Sequence, residues 1–165
     1  MSEKKKAEDK LREEWDLLKT SGLLSQISCS AGPKKMGKGI YNMFLWNAII
    51  AGPKNSPYSN YLFKFEISYP ENYPEDAPTV TCKTKIYHMN ISTNGDVCVD
   101  SIKSEEGWAR AKDISTVLKS VFIILAKPNI YSPYRRDLAD LYNSDIEQYK
   151  KNVREECEKY AIKIP

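Results

Sequence analysis

Residues 61–68, YLFKFEIS, alternate strictly. Tyr61, Phe63, Phe65 and Ile67 fall on one face of an extended chain, and Leu62, Lys64, Glu66 and Ser68 fall on the other. The neighbouring segments fit the same sheet. MFLWNAII (43–50) is strand-like, AGPKNSPYSN (51–60) reads as a turn, and ISCS (27–30) and TVTCKT (79–84) are the first and fourth strand candidates. Connections this short predict a four-stranded antiparallel meander, because parallel neighbours need long crossovers.

Helical periods flank the sheet. KKAEDKLREEWDLLKTSG sets Ala7, Leu11, Trp15 and Leu18 on one stripe and stops near Gly22. In DISTVLKSVFIILAKP, Asp113 is the expected N-cap, Ile114, Val117, Leu118, Val121, Phe122 and Leu125 form the apolar face, and Pro128 ends the helix. SDIE reads as a capping box of Ser144 with Glu147, ahead of a face of Ile146, Tyr149, Val153, Cys157 and Tyr160. YPENYPEDAP (69–78) is an irregular extended loop, and no period is visible from Tyr87 to Trp108, which predicts a long loop of the functional kind. The fold class is α+β in one domain, residues 1–165, with a short charged end at about 1–6.

Several function classes fit poorly. A net charge of +3 is too mild for a nucleic-acid binder, and no apolar run is long enough to span a membrane. The start, MSEKKKAEDK, lacks the apolar stretch of a secretory signal, so reduced cysteines and a cytoplasmic or nuclear location are expected. Cys29, Cys82, Cys98 and Cys157 form no CxxC pair and the chain has one histidine, so no metal site is expected. GPKKMGKG (32–39) nearly matches a phosphate-binding loop. Gly39 stands where the Mg²⁺-binding hydroxyl belongs, and both flanks are strand-like, so the segment reads as a basic hairpin loop.

YHMNISTNGDVCVD (87–100) holds the sole histidine and Cys98. A Cys–His hydrolase needs a base and a group to orient it. His88 is the only available base, and Asp96 and Asp100 flank Cys98, where carboxylates disfavour a thiolate. Taken alone, Cys98 is as readily a small packed residue, and His88 a structural hydrogen-bonder. The wider pattern resembles the ubiquitin-conjugating enzymes, whose hallmark is His-Pro-Asn with the catalytic cysteine eight residues after the Asn. Here His88-Met89-Asn90 precedes Cys98 at that spacing. The amphipathic first helix, GPKNSPY, YPENYPEDAP, Trp108 and LAKPNIYSP follow in the family's order over nearly the whole chain.

The resemblance implies a thioester carrier. Cys98 takes ubiquitin from an activating enzyme, which uses the ATP, and passes it to a substrate lysine or a ligase cysteine; no cofactor is bound directly. A modifier of the NEDD8 or SUMO type is the alternative, and a non-catalytic ubiquitin-binding variant would lack the cysteine. Asn90 implies an oxyanion donor or a brace for the loop, and His88 a tie within the turn. Ser132 occupies a gate position where many members carry Asp, and Asp100 is a candidate contact for the modifier. Lys6 and Lys10 correspond to the basic face that meets the activating enzyme, and the sheet face near Ser30 is a further partner surface. RING and HECT ligases grip the proline-rich loop and the loop after Trp108. Glu75 and Arg110 replace the expected apolar anchor and proline there, which points to a dedicated ligase. Met89 in place of Pro suggests a looser turn in which a proline would be tolerated.

Overall fold

β3 sits inside the sheet with partners on both sides. A computed structural model describes every residue, Met1–Pro165, in the order α1 (Glu3–Thr20), α2 (Leu23–Gln26), β1 (Cys29–Gly37), β2 (Ile40–Ala51), β3 (Tyr61–Ser68), β4 (Thr79–Cys82), α3 (Asp100–Lys103), α4 (Glu105–Ala111), α5 (Ile114–Ala126), α6 (Arg136–Ser144), α7 (Ile146–Tyr160) and β5 (Ile162–Lys163). The sheet is the antiparallel meander β1-β2-β3-β4, and β3 keeps its alternation, with Tyr61, Phe63, Phe65 and Ile67 buried. That face, with Trp46, Ala48 and Ile50 of β2, packs into one cluster with Ala7, Leu11 and Leu18 of α1 and with α5 and α7. Each such side chain contributes roughly 1.5–3 kcal/mol on burial.

The structure departs from the sequence reading at several places. β1 runs on to Gly37, so most of GPKKMGKG is strand, and only Lys38 and Gly39 make the turn, Gly39 at φ +71°. A two-residue β-turn with glycine at positive φ keeps the strand twist, and the basic loop is a basic strand end instead. The period-free stretch before Trp108 holds two short helices, α3 and α4, too brief to show a period. Asp145, not Ser144, caps α7, its side chain accepting from the Gln148 N–H, because α6 extends through Ser144. A fifth strand, Ile162–Lys163, pairs with Leu62 and Tyr61 of β3 beyond the end of β4. On α5, Ile124 is buried where Phe122 was expected to be, and Phe122 is only partly covered. The charged N-terminal end is helical from Glu3, capped by the Ser2 side chain.

α1 buries an acid. Glu14 is 4% exposed, and its Oε1 accepts from the Tyr73 hydroxyl (2.8 Å) and from the Ile114 N–H at the start of α5 (2.9 Å). Its Oε2 has no partner, nor has the buried Tyr69 hydroxyl. Burial raises the Glu14 pKa above 4.5, and the hydrogen bonds from Tyr73 and Ile114 oppose that only in part. An acid held protonated in the fold but ionised when unfolded stabilises fully below about pH 4.5 and loses that contribution as pH rises through its folded pKa. Glu14→Gln is therefore expected to melt higher than the wild type at pH 7, with the gap closing toward pH 4.5. A lower melting temperature at pH 7 would show that the native carboxylate is charged and held by the α5 N-terminus.

Candidate active site

The segment from Asn90 to Cys98 is a miniature hairpin. The Cys98 N–H donates to the Asn90 carbonyl at 2.9 Å, Ile91 and Val97 form an antiparallel bridge, and the Ser92 N–H donates to the Asp96 carbonyl at 2.9 Å. The eight-residue spacing is thus a register: the two residues face each other across a turn. Gly95 closes the turn at φ +92°, and a Cβ there would lie 2.4 Å from the Cys82 carbonyl oxygen. Cys82 and Val97 N–H groups bond to Gly95 and Val80 carbonyls, hanging the hairpin on the edge of β4.

The other anchor is His88, fully buried. Its Nε2 lies 2.7 Å from the Ile124 carbonyl of α5, and its Nδ1 accepts from the Asn90 N–H at 3.0 Å. A carbonyl only accepts and an N–H only donates, so the ring is the neutral Nε2–H tautomer with neither nitrogen free. It also stacks on Tyr58, centroids 5.6 Å apart. Burial holds its pKa down at about 4, against an ordinary 6.5. Asn90 is equally committed. Its Nδ2 donates to the carbonyls of Asn129 (2.8 Å) and Ser132 (3.3 Å), and its Oδ1 accepts from the Asn129 N–H (2.8 Å). Met89 between them is wholly buried, donates its N–H toward the Tyr149 hydroxyl (3.4 Å) and accepts at its carbonyl from Tyr134 and Arg135. This corrects the expectation of a loose turn. A proline at 89 would delete that N–H and leave part of the methionine's volume empty, so it is not a neutral replacement.

Cys98 is half-buried and its thiol sits above the ordinary 9.0: burial raises it, the Lys103 cation lowers it and Asp100 raises it. It is a protonated thiol at neutral pH, with no imidazole to activate it. Asp100 opens α3 and pairs with Lys103 at 2.9 Å, and the Lys103 ammonium also donates to the Ser132 hydroxyl at 2.8 Å. Asp100, Lys103 and Ser132 therefore stand together beside Cys98. No group of three His, Cys, Asp or Glu side chains is placed to hold a metal ion, and no helix is long and apolar enough to cross a membrane.

A family model described as ubiquitin-conjugating enzyme matches residues 12–157, a span that takes in β1 to β4, the hairpin and α3 to α6 entire. This chain belongs to the ubiquitin-conjugating enzyme family. It is an acyltransferase that carries ubiquitin or a ubiquitin-like modifier as a thioester, working between an activating enzyme and a ligase. In this conjugating enzyme Trp108 is buried, its Nε1 donating to the Pro74 carbonyl (2.7 Å) and its ring set against Tyr73. Trp108 and the exposed Glu75 line a shallow groove of about 440 Å³ between the proline-rich loop and the α3–α4 segment. Arg110 is absent from that groove. It is exposed on α4, which runs to Ala111, so the expected loop after Trp108 is a helical turn, and Glu75 and Arg110 do not share one pocket. Lys6 and Lys10 on α1 take part in no ion pair, whereas Lys4 and Lys5 pair with Glu71 and Asp9. Ser30 lies exposed on the edge strand β1, far along the sheet order from β4 and the hairpin.

Sequence reasoning missed Lys103, Asn129, Tyr58 and Tyr134. The spacing of Asp100 and Lys103 is the i,i+3 pairing of a helix, a usable signal once α3 is recognised. Asn129 and Tyr58 act across long sequence distances with no local pattern. A neutral buried imidazole supplies stability above its unfolded pKa of 6.5 that is lost as pH falls toward about 4. Side-chain NMR of the single histidine is expected to show a neutral Nε2–H ring down to about pH 4. A midpoint near 6.5 in the folded protein would mean that the ring is free of Ile124 and Asn90.

Proposed function

We propose that Cys98 is the carrier thiol and that ubiquitin is its modifier. The observation that supports this most is the hairpin register, which sets a half-buried thiol opposite Asn90 inside the matched family span. Cys82 and Cys157 are buried, and burial pushes Cys29 up to about 12 at the start of β1. In loading, the Cys98 sulfur bonds to the carbonyl carbon of the activating enzyme's thioester, whose C–S bond breaks, and the Cys98 proton ends on the departing thiol. ATP is spent by the activating enzyme. In transfer, a lysine amine bonds to that carbon, the bond to Cys98 breaks, and the proton lost by the amine ends on the departing Cys98 sulfur. A thioester is an activated acyl group, so a thiol of high pKa suffices when its partner is held beside it. Wild-type protein is expected to form an ATP-dependent, reductant-labile ubiquitin adduct, Cys98→Ser at most a reductant-resistant ester, and Cys98→Ala none. Undiminished loading of Cys98→Ala would end the assignment.

Asn90 in this reading braces the loop in the resting enzyme, because both protons of its amide already go to Asn129 and Ser132. An oxyanion role requires one of those bonds to open. Removing a buried amide with this many partners costs about 1–3 kcal/mol. Asn90→Ala is expected to lose stability on that scale and to slow loading as well as transfer. An unchanged melting temperature with only transfer slowed, by about 10²–10³, would place the amide on the oxyanion instead.

Lys6 and Lys10, free of ion pairs, suit the contact with the activating enzyme. Glu75 at the rim of the Trp108 groove favours a dedicated ligase that offers a cation there, since an apolar anchor would leave that charge unpaired. Four cysteines with no disulfide among them suit a cytoplasmic or nuclear setting, where thiols stay reduced.

A further inference from the structure

Lys103 is held from two sides, five residues on from Cys98. Its ammonium donates to Asp100 Oδ1 on the α3 side (2.9 Å) and to Ser132 Oγ on the loop before α6 (2.8 Å). The Cys98 thiol feels both Lys103 and Asp100, so all of this lies within electrostatic reach of the sulfur. The backbone around Ser132 is fixed, because its carbonyl accepts from Asn90 and the Asn129 peptide is locked to the same side chain. A carboxylate and a hydroxyl converging on one alkylammonium beside a carrier thiol is the chemistry that an acceptor lysine requires.

We propose that Lys103 is an internal stand-in for the acceptor lysine: in the free enzyme its ammonium occupies the Asp100–Ser132 cradle, and the substrate ammonium must displace it. Asp100 is then the anionic group that receives the substrate, a part that Ser132 cannot play. This rests on Cys98 being the carrier. When the substrate is seated, its ammonium gives one proton by way of Asp100 to solvent, the freed nitrogen bonds to the thioester carbon, the bond to Cys98 breaks, and the second proton ends on the Cys98 sulfur. The Lys103 side chain is 35% exposed and that of Asp100 is 71% exposed, so the bolt is weak. Pairs of this exposure shift an equilibrium by about two- to five-fold, and occupancy lowers apparent affinity for the competitor by that factor.

The test is single-turnover discharge of preloaded wild type, Lys103→Gln, Asp100→Asn and the double variant onto free lysine. Lys103→Gln is expected to lower the apparent KM for lysine about two- to five-fold with kcat little changed. Asp100→Asn is expected to raise KM, and in its background Lys103→Gln should give no gain. If Lys103 acted only by repelling incoming cations, the gain would persist without Asp100. If it stabilised the oxyanion, Lys103→Gln would lower kcat. Either result overturns the proposal. A second measurement needs no thioester: n-butylammonium added to the unloaded protein should shift the Lys103 side-chain NMR signals, tetramethylammonium at equal ionic strength should not, and Asp100→Asn should abolish the effect. Equal response to both cations would overturn the cradle, whereas failure of Cys98 to load would overturn only the carrier assignment.

Discussion

The imidazole of His88 donates to the Ile124 carbonyl near the end of α5 and accepts from the Asn90 N–H that opens the hairpin. Two elements with no shared backbone are joined by one ring, and the ring must be neutral for both bonds to exist. Protonation would turn the acceptor nitrogen into a donor facing an N–H. The position of Asn90 depends on that ring, and the position of Asn129 and Ser132 depends on the Asn90 amide. Cys98 inherits its place from the Asn90 carbonyl. Most of the site is therefore a chain of committed hydrogen bonds starting at a residue that never touches the chemistry. Buried polar networks of this kind are stabilising only when each member is satisfied.

The thiol has been left without help of the kind used by cysteine hydrolases. Burial raises the thiol's pKa, and the one neighbouring cation that lowers it, Lys103, is shared with Asp100 and Ser132. For thioester exchange this is sufficient, since the acyl group arrives activated and the leaving thiol needs no strong acid. It also protects: a protonated thiol is a poor target for oxidation and stray acylation. With Cys98 as the proposed carrier, rate would come from placement of the two reacting groups, in keeping with bonding devoted to the backbone around Cys98 rather than to the sulfur.

β3, the α1 stripe and the Asp113 cap were legible because each is a local pattern with a fixed period or offset, and the structure keeps them except that Trp15 of the stripe is only partly buried and Glu14 beside it is buried. The extension of β1 to Gly37 was not legible, since glycine and lysine on an edge strand carry no alternation to read. The short helices α3 and α4 escaped because four and seven residues are too few to establish a helical period. At the site, the spacing of His88, Asn90 and Cys98 was visible, but what makes it a spacing was not. The register Asn90–Cys98 is a property of a hairpin, and the partners Ile124, Asn129 and Tyr58 come from 30 or more residues away in sequence. The burial of Met89 was hidden for the same reason: a local comparison with proline sees the torsion and not the packed volume around it.

Lys103 connects this site to a second surface. Its side chain lines the groove that Trp108 and Glu75 border, while its ammonium reaches Ser132 on the other side. Trp108 is held to Pro74 and packed on Tyr73, and Tyr73 is bonded to Glu14, which also holds the start of α5. The floor of the groove is thus bonded through to α1, and Lys103 in its wall is held by exposed side-chain bonds alone. A partner cation seated at Glu75 would share the groove with the Lys103 side chain and change the field on its ammonium. An exposed ion pair contributes about 0–1 kcal/mol, so one added charge is enough to tip the balance. The surface proposed for a ligase and the cradle proposed for the acceptor then communicate through one side chain, with no change of fold required.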